Sequence, residues 1–214
     1  MAEAVKTSEE RKAKSGRMTG PERKVQIVDV VLRLVHEHGV EGTTTARIAR
    51  AAGVTEPTLY QYFDSRRDML LAALDLVFAR ATEAVQCSQE SNAVECLRKV
   101  GEYHTRETKA KALRFVDPMF EFVVAPAEEG LRERVRAGNL EIHALLAGIV
   151  EVGIVQGCIR AEVDPQRIAW RIMGFYWFED VSMLMDLGEV VSGGVSQDTF
   201  NAIMADISAS VSES

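Results

Sequence analysis

Apolar positions recur at three- and four-residue spacing through most of this chain, the pattern of amphipathic helices. Ile27, Val28, Val31, Leu34 and Val35 mark the first, with Pro21 in its opening turn and Gly39 as its stop. Ile48, Ala49 and Ala52 give a second, short helix a small apolar face, and Thr43, Thr44 and Thr45 precede it as capping hydroxyls. Gly53 breaks that helix where a left-handed backbone is wanted, and Val54 is expected as a buried plug. Thr55 then caps a third short helix with Pro57 in its first turn, where a missing N–H costs nothing. Leu59 and Phe63 point inward, which leaves Glu56, Thr58, Tyr60, Gln61 and Tyr62 outside. Ser65 and Asp68 come close to a capping box for a longer helix that carries Leu70, Leu74 and Phe78 to about Gln86.

The remainder is also helical in pattern. Val94, Leu97 and Val100 mark one helix, and a shorter segment from Lys109 to Val116 is expected to break at Asp117-Pro118. Pro126 interrupts again, and a long helix from Leu131 ends near Gly157. Asp164-Pro165 opens another that runs to about Leu187, and Phe200, Ile203, Met204, Ile207 and Val211 share one face of the last. No alternating strand pattern of useful length occurs. The expected fold is all-α: an N-terminal three-helix helix-turn-helix domain, then a larger C-terminal helical domain for ligand binding and dimerisation. The Pro165 helix is apolar nearly all round, so one face serves its own core and the other a second chain. With the final helix it would build a four-helix bundle across a two-fold axis. The competing reading is a central helix buried inside a monomer.

Composition changes this picture little. The chain has 214 residues, 47% hydrophobic and 27% charged, and no uncharged apolar run approaches the ~18 residues of a membrane span. Its start lacks the apolar stretch of a secretory signal. Three cysteines, an odd count without a CxxC pair, point to a reducing cytoplasm rather than a disulfide framework. A net charge of −7 looks wrong for a nucleic-acid binder, but up to Asp68 twelve Lys and Arg face ten Asp and Glu. The acidity lies beyond Asp68, where the counts are 13 and 22. Residues 1–20, with the cluster RKAKSGR, read as a disordered basic tail or as an arm that adds phosphate contacts.

The stretch from Thr43 to Asp68 carries the chemistry. A capped helix N-terminus favours phosphate, which makes Thr44 and Thr45 candidates for backbone contacts. Thr55, Glu56, Pro57 and Thr58 open the reading helix and would face base edges, together with Gln61. Pro57 offers apolar surface to a thymine methyl. Tyr60 and Tyr62 can donate hydroxyls to phosphates, and Arg47 on the second helix is within reach of DNA. Glu56 is the odd residue: it either accepts from a cytosine amino group or stays off the DNA and pairs with an arginine.

TT, IA, AGV, T-x-PTLYQYF and SRRDML, in that order from Thr43 to Leu70, resemble the TetR family of bacterial transcriptional regulators. The C-terminal part is similar in outline only, with QGCIRAEVDP before the penultimate helix as its familiar piece. The resemblance implies a homodimer whose reading helices enter successive major grooves of a double-stranded, pseudo-palindromic operator. It implies a C-terminal pocket whose small-molecule effector changes the spacing of those helices and releases DNA. Arg66 matches the family's basic phosphate-contacting position, and Arg66-Arg67 stands where one lysine is usual.

For the effector, Tyr103, His104, Phe115, Met119, Phe122, His143, Met173 and Trp177 are polar-tipped or adaptable residues in the enclosing helices. Each taken alone is more often core; as a set they suggest an apolar or aromatic ligand. The expected division is residues 21–68 for DNA and 69–214 for ligand and dimer. The leading reading is a cytoplasmic repressor that is not an enzyme and uses no cofactor, metal or membrane. The alternatives are an activator or regulator without a ligand and, much further off, a helical metal-dependent enzyme built on His104 and His143. No HExxH, paired-His or Cys-rich spacing supports the last.

Overall fold

The fold comes from a computed structural model of the chain, which describes residues 18–85, 92–126, 130–192 and 194–209, with side chains for all of these but 107–117 and 192. The expected basic tail and Val211 lie outside the described residues. Among those described, nine helices form and no strand: α1 Gly20–Gly42, α2 Thr45–Ala52, α3 Glu56–Leu59, α4 Arg66–Ala84, α5 Ala93–Val124, α6 Leu131–Val155, α7 Pro165–Leu184, α8 Gly188–Ser192 and α9 Val195–Ile207. An isolated antiparallel bridge joins Ile159 to Ser208 and ties the end of α9 to the α6–α7 connection.

Local chemistry sets the helix ends. Thr19 opens α1 with a full capping box: its N–H donates to the Glu22 carboxylate at 2.8 Å, and its hydroxyl accepts from the Glu22 N–H at 3.4 Å. Those two groups hold the Glu22 carboxyl below its ordinary range. Gly39, the expected stop, interrupts α1 with φ +68°, and one further turn follows it. Thr44 caps α2, whereas Thr43 is fully buried and donates its hydroxyl to the Gly39 carbonyl at 2.8 Å. Gly53 closes α2 in the left-handed region, where any side chain would be strained. Ser65 accepts from the Asp68 N–H at 3.1 Å and donates to its carboxylate at 2.8 Å, as the capping pattern anticipates.

Two expectations about breaks fare differently. Pro126 does end a helix, but Asp117-Pro118 does not: α5 runs unbroken through Pro118. An interior proline costs about 3 kcal/mol in an isolated helix. Here Pro118 is buried, and the turns after it bury Phe122 completely against α1 and α4. Tertiary burial therefore overrides the local signal. The shared apolar face of the final helix, Phe200, Ile203, Met204 and Ile207, is buried in the chain's own core. Cys158 is a free thiol, and Cys96 is disulfide-bonded. An odd count does not forbid one pair.

Two hydrophobic clusters fill the molecule. The first joins α1–α4 to Phe122 and Ala125 of α5 and to Leu131 and Val135 of α6. The second lies among α5, α6, α7 and α9, around Leu97, Leu146, Ile172 and Met204. Helices α4 and α6 meet closely at Gly138, where a Cβ would lie 2.4 Å from the Phe78 ring. By length and mean hydropathy (1.5 over 18 residues) α6 could cross a membrane; 33% of that window is buried, and α6 packs on α4, α5 and α7.

Arg66 fastens the reading unit from inside. Its Nε donates to the Thr43 carbonyl at 2.7 Å and a terminal nitrogen to the Val40 carbonyl, which ties the α1–α2 corner to the start of α4. A planar fork can serve two carbonyls at once, which an ammonium cannot do with the same geometry. Arg66→Ala should therefore destabilise the free protein by about 1.5–3 kcal/mol, the range for hydrogen bonds from a charged donor, with Arg66→Lys intermediate. Urea unfolding without DNA reads this directly; an unchanged midpoint would mean that the guanidinium is not holding the corner.

Candidate nucleic-acid interface

The α2–turn–α3 unit presents most of its expected contact residues to solvent. Thr44 is exposed at the N-cap of α2, accepting from the Arg47 N–H at 3.3 Å, and Thr45 is half-buried beside it. Arg47 is exposed, with its guanidinium on the Gly42 carbonyl at 2.8 Å. Leu59 is fully buried and anchors α3; Pro57, Glu56 and Gln61 are exposed, and Tyr60 is 49% exposed. Helix α3 proper is a single turn, Glu56–Leu59, extended by backbone hydrogen bonds from Tyr62 and Phe63 to the Leu59 carbonyl.

Several side chains do something other than expected. Thr55 stands at the N-cap of α3, yet its hydroxyl makes no capping bond and pairs instead with that of half-buried Thr58 at 2.9 Å. Each can still bond outward, since one proton lies between two oxygens that carry spare capacity. Val54, expected as a plug, is half-buried, and half-buried Tyr62 packs on the first core rather than standing clear. Among the described residues Glu56 makes no ion pair. Arg66, expected at a phosphate, is half-buried on its two carbonyls.

Other cations surround the reading helix. Arg50 is exposed in the last turn of α2, and Arg67 is exposed at the start of α4. Lys24 is exposed on α1, with its ammonium 5.2 Å from the Phe63 ring centroid. Sequence reasoning passed over Arg50, although it lies three residues after Arg47 on the same helix face.

The effector candidates are not gathered into one cavity among the described residues. Phe122 and Met119 belong to the first core, and Met173 is buried in the second. His143 is buried, its Nε2 3.0 Å from the Gln166 carbonyl and its ring 4.4 Å from that of Trp170. Tyr103 is exposed, and Trp177 is 38% exposed with Phe120 edge-on at 5.8 Å. His104 stacks on Tyr176 at 4.1 Å, and the Phe115 side chain lies outside those described. An open crevice of about 520 Å³ lies instead between α4 and α6, lined by Asp75, Phe78, Thr82, Glu83, Arg134 and Glu141. No group of three or more His, Cys, Asp or Glu among the described residues is placed to hold a metal ion.

Comparison with known proteins agrees with this geometry. Residues 27–73 match the family model described as bacterial regulatory proteins, tetR family. The transcriptional repressor KstR2 of Rhodococcus jostii is 26% identical over 155 residues, which are 71% of this chain and 74% of that one. A TetR regulator from Chloroflexus aurantiacus superposes with a TM-score of 0.73 at 22% identity, covering 89% of this chain and 98% of its own. FadR of Bacillus subtilis, solved in complex with stearoyl-CoA, gives 0.70 at 21% identity, covering 85% and 97%. These structures share the helical fold, and the matched residues take in the whole α2–turn–α3 unit. Over residues 27–73, which hold the α2–turn–α3 unit, the chain is thus similar to the tetR family of bacterial regulatory proteins.

Proposed function

We propose that the protein is a ligand-responsive repressor that binds a pseudo-palindromic DNA operator as a homodimer and leaves it when a small, largely apolar or aromatic effector binds. In this reading residues 21–68 contact DNA and residues 69–214 bind the effector and the second subunit. The observation that carries it is the outward set of Pro57, Thr58, Tyr60 and Gln61 on a turn anchored by buried Leu59. Thr55 through Thr58 and Gln61 read bases, while Thr44, Thr45, Arg47 and Tyr60 hold the backbone. Tyr62 contributes its hydroxyl from a half-buried ring, and Arg66 acts indirectly by fixing the corner on which the others stand.

Dimerisation is supported by a stripe on α7. Trp170, Gly174, Trp177, Phe178 and Leu184 are exposed at helical spacing, with Trp170 at 52% and Phe178 at 50%. A patch of this kind marks an interaction surface, and a two-fold axis lets it cover itself. Repression as the sense of regulation is supported by the name of KstR2, and an effector with an apolar part by the acyl chain of the stearoyl-CoA with which FadR was solved. The competing reading, a regulator without a ligand, draws on the burial of Phe122 and Met173 as plain core.

Two outcomes are expected. On DNA recovered by genomic footprinting, Thr58→Ala or Tyr60→Ala should weaken binding about tenfold or more in a gel-shift titration, since one good contact is worth roughly 1–3 kcal/mol. Wild-type affinity should fall steeply with salt; unchanged affinity in the variants, or salt independence, would remove α3 from the interface. In sedimentation at micromolar concentration the wild type should run as a dimer and Phe178→Glu as a helical monomer. A monomeric wild type would contradict the role given to α7.

A further inference from the structure

A charged residue is buried in the apolar body of α7. Glu179 is 5% exposed, and its carboxylate meets α5 rather than water. The Thr105 hydroxyl lies 3.1 and 3.0 Å from its two oxygens, but that hydroxyl has a single proton to give. The His104 Nε2 stands 3.8 Å from Oε2, beyond hydrogen-bond reach, and 3.4 Å from Asp180. Among the described residues, then, a carboxylate with about four acceptor sites receives one hydrogen bond.

One turn away on the same face lies Tyr176, 8% exposed, its ring stacked on His104 and its hydroxyl without a partner among the described residues. Burial first, and the Glu179 charge second, push this phenol well above its ordinary range. It therefore remains a neutral hydroxyl that can accept as well as donate. Such an arrangement is costly to maintain, because buried polar groups without partners have lost their hydration and gained little in return. His104 and Asp180, 23% and 22% exposed, lie nearer the surface than Glu179 and Tyr176.

We infer that this cluster is the polar end of the effector site and that it takes a protonated amine carried on an apolar body. The inference rests on the proposal that an effector binds between these helices. The amine N–H groups donate to the free acceptor sites of Glu179 and to the Tyr176 oxygen, and its charge balances the carboxylate. An anionic head group is repelled by both Glu179 and Asp180. The chemistry therefore separates this chain from a sensor whose ligand enters with a carboxylate or phosphate leading.

The test uses the full chain with octylamine, octanol and octanoate, followed by thermal shift and tryptophan fluorescence. Octylamine should bind about tenfold or more tightly than octanol, the expected worth of a charge-assisted hydrogen bond, and octanoate should bind more weakly than either. Glu179→Gln should abolish the preference for amine over alcohol. Tyr176→Phe, which keeps the ring, should reduce that preference and decides the matter if Glu179→Gln does not fold. Equal binding of amine and alcohol, preference for octanoate, no binding of any probe, or an unchanged preference in the variants overturns the inference. Operator release is measured on the same samples: amine-selective binding without release supports the site and removes the repressor-release reading alone. Release by an acyl chain without amine preference does the reverse.

Discussion

Phe122 of α5 sits, wholly screened from solvent, in the same cluster as Ile27 of α1 and Leu70 of α4. Its position reflects a constraint on the whole molecule: three short helices do not bury enough apolar surface to stand alone. Helices α1 to α4 close their core with Phe122, Ala125, Leu131 and Val135, all from the α5–α6 corner. Gly138 permits the approach that puts the Phe78 ring between α4 and α6. The orientation of α3 is thus set partly by residues far along the chain. Any ligand that moved α5 or α6 would move α3 with it, because packed cores shift between discrete arrangements rather than yielding smoothly.

The same economy shows in the charges. A net charge of −7 would repel DNA if it were spread evenly, but Lys24, Arg47, Arg50 and Arg67 are exposed on or beside the reading unit. Arg66 has been drawn inside to serve the backbone. Arg67, beside it, lays its guanidinium against Gly130 at the start of α6. Glu56 and Asp64, exposed nearby, moderate the attraction, so affinity should depend on two reading units acting together.

Much of this was legible from residue pattern alone. Gly53, the Ser65–Asp68 cap and the Asp164-Pro165 helix start were visible because each acts through its immediate neighbours. Pro118 was misread for the opposite reason: its effect is cancelled by burial against α1, which no local window contains. Phe122 and Met173 are buried, and residue pattern alone does not separate core from pocket because both draw on the same side chains. Arg66 was placed at a phosphate by family resemblance, but its partners Val40 and Thr43 lie more than twenty residues upstream. Glu179 did carry a signal, a lone carboxylate on the buried face of an apolar helix, and it was read past as part of that helix.

The central claim is that two copies of the α2–turn–α3 unit read DNA as a symmetric pair. Hydroxyl-radical footprinting of the wild-type protein on its genomic binding site tests this most directly. The account predicts two protected segments related by two-fold symmetry, with centres roughly 34 Å or one duplex turn apart. A single protected segment, or protection without symmetry, would contradict it.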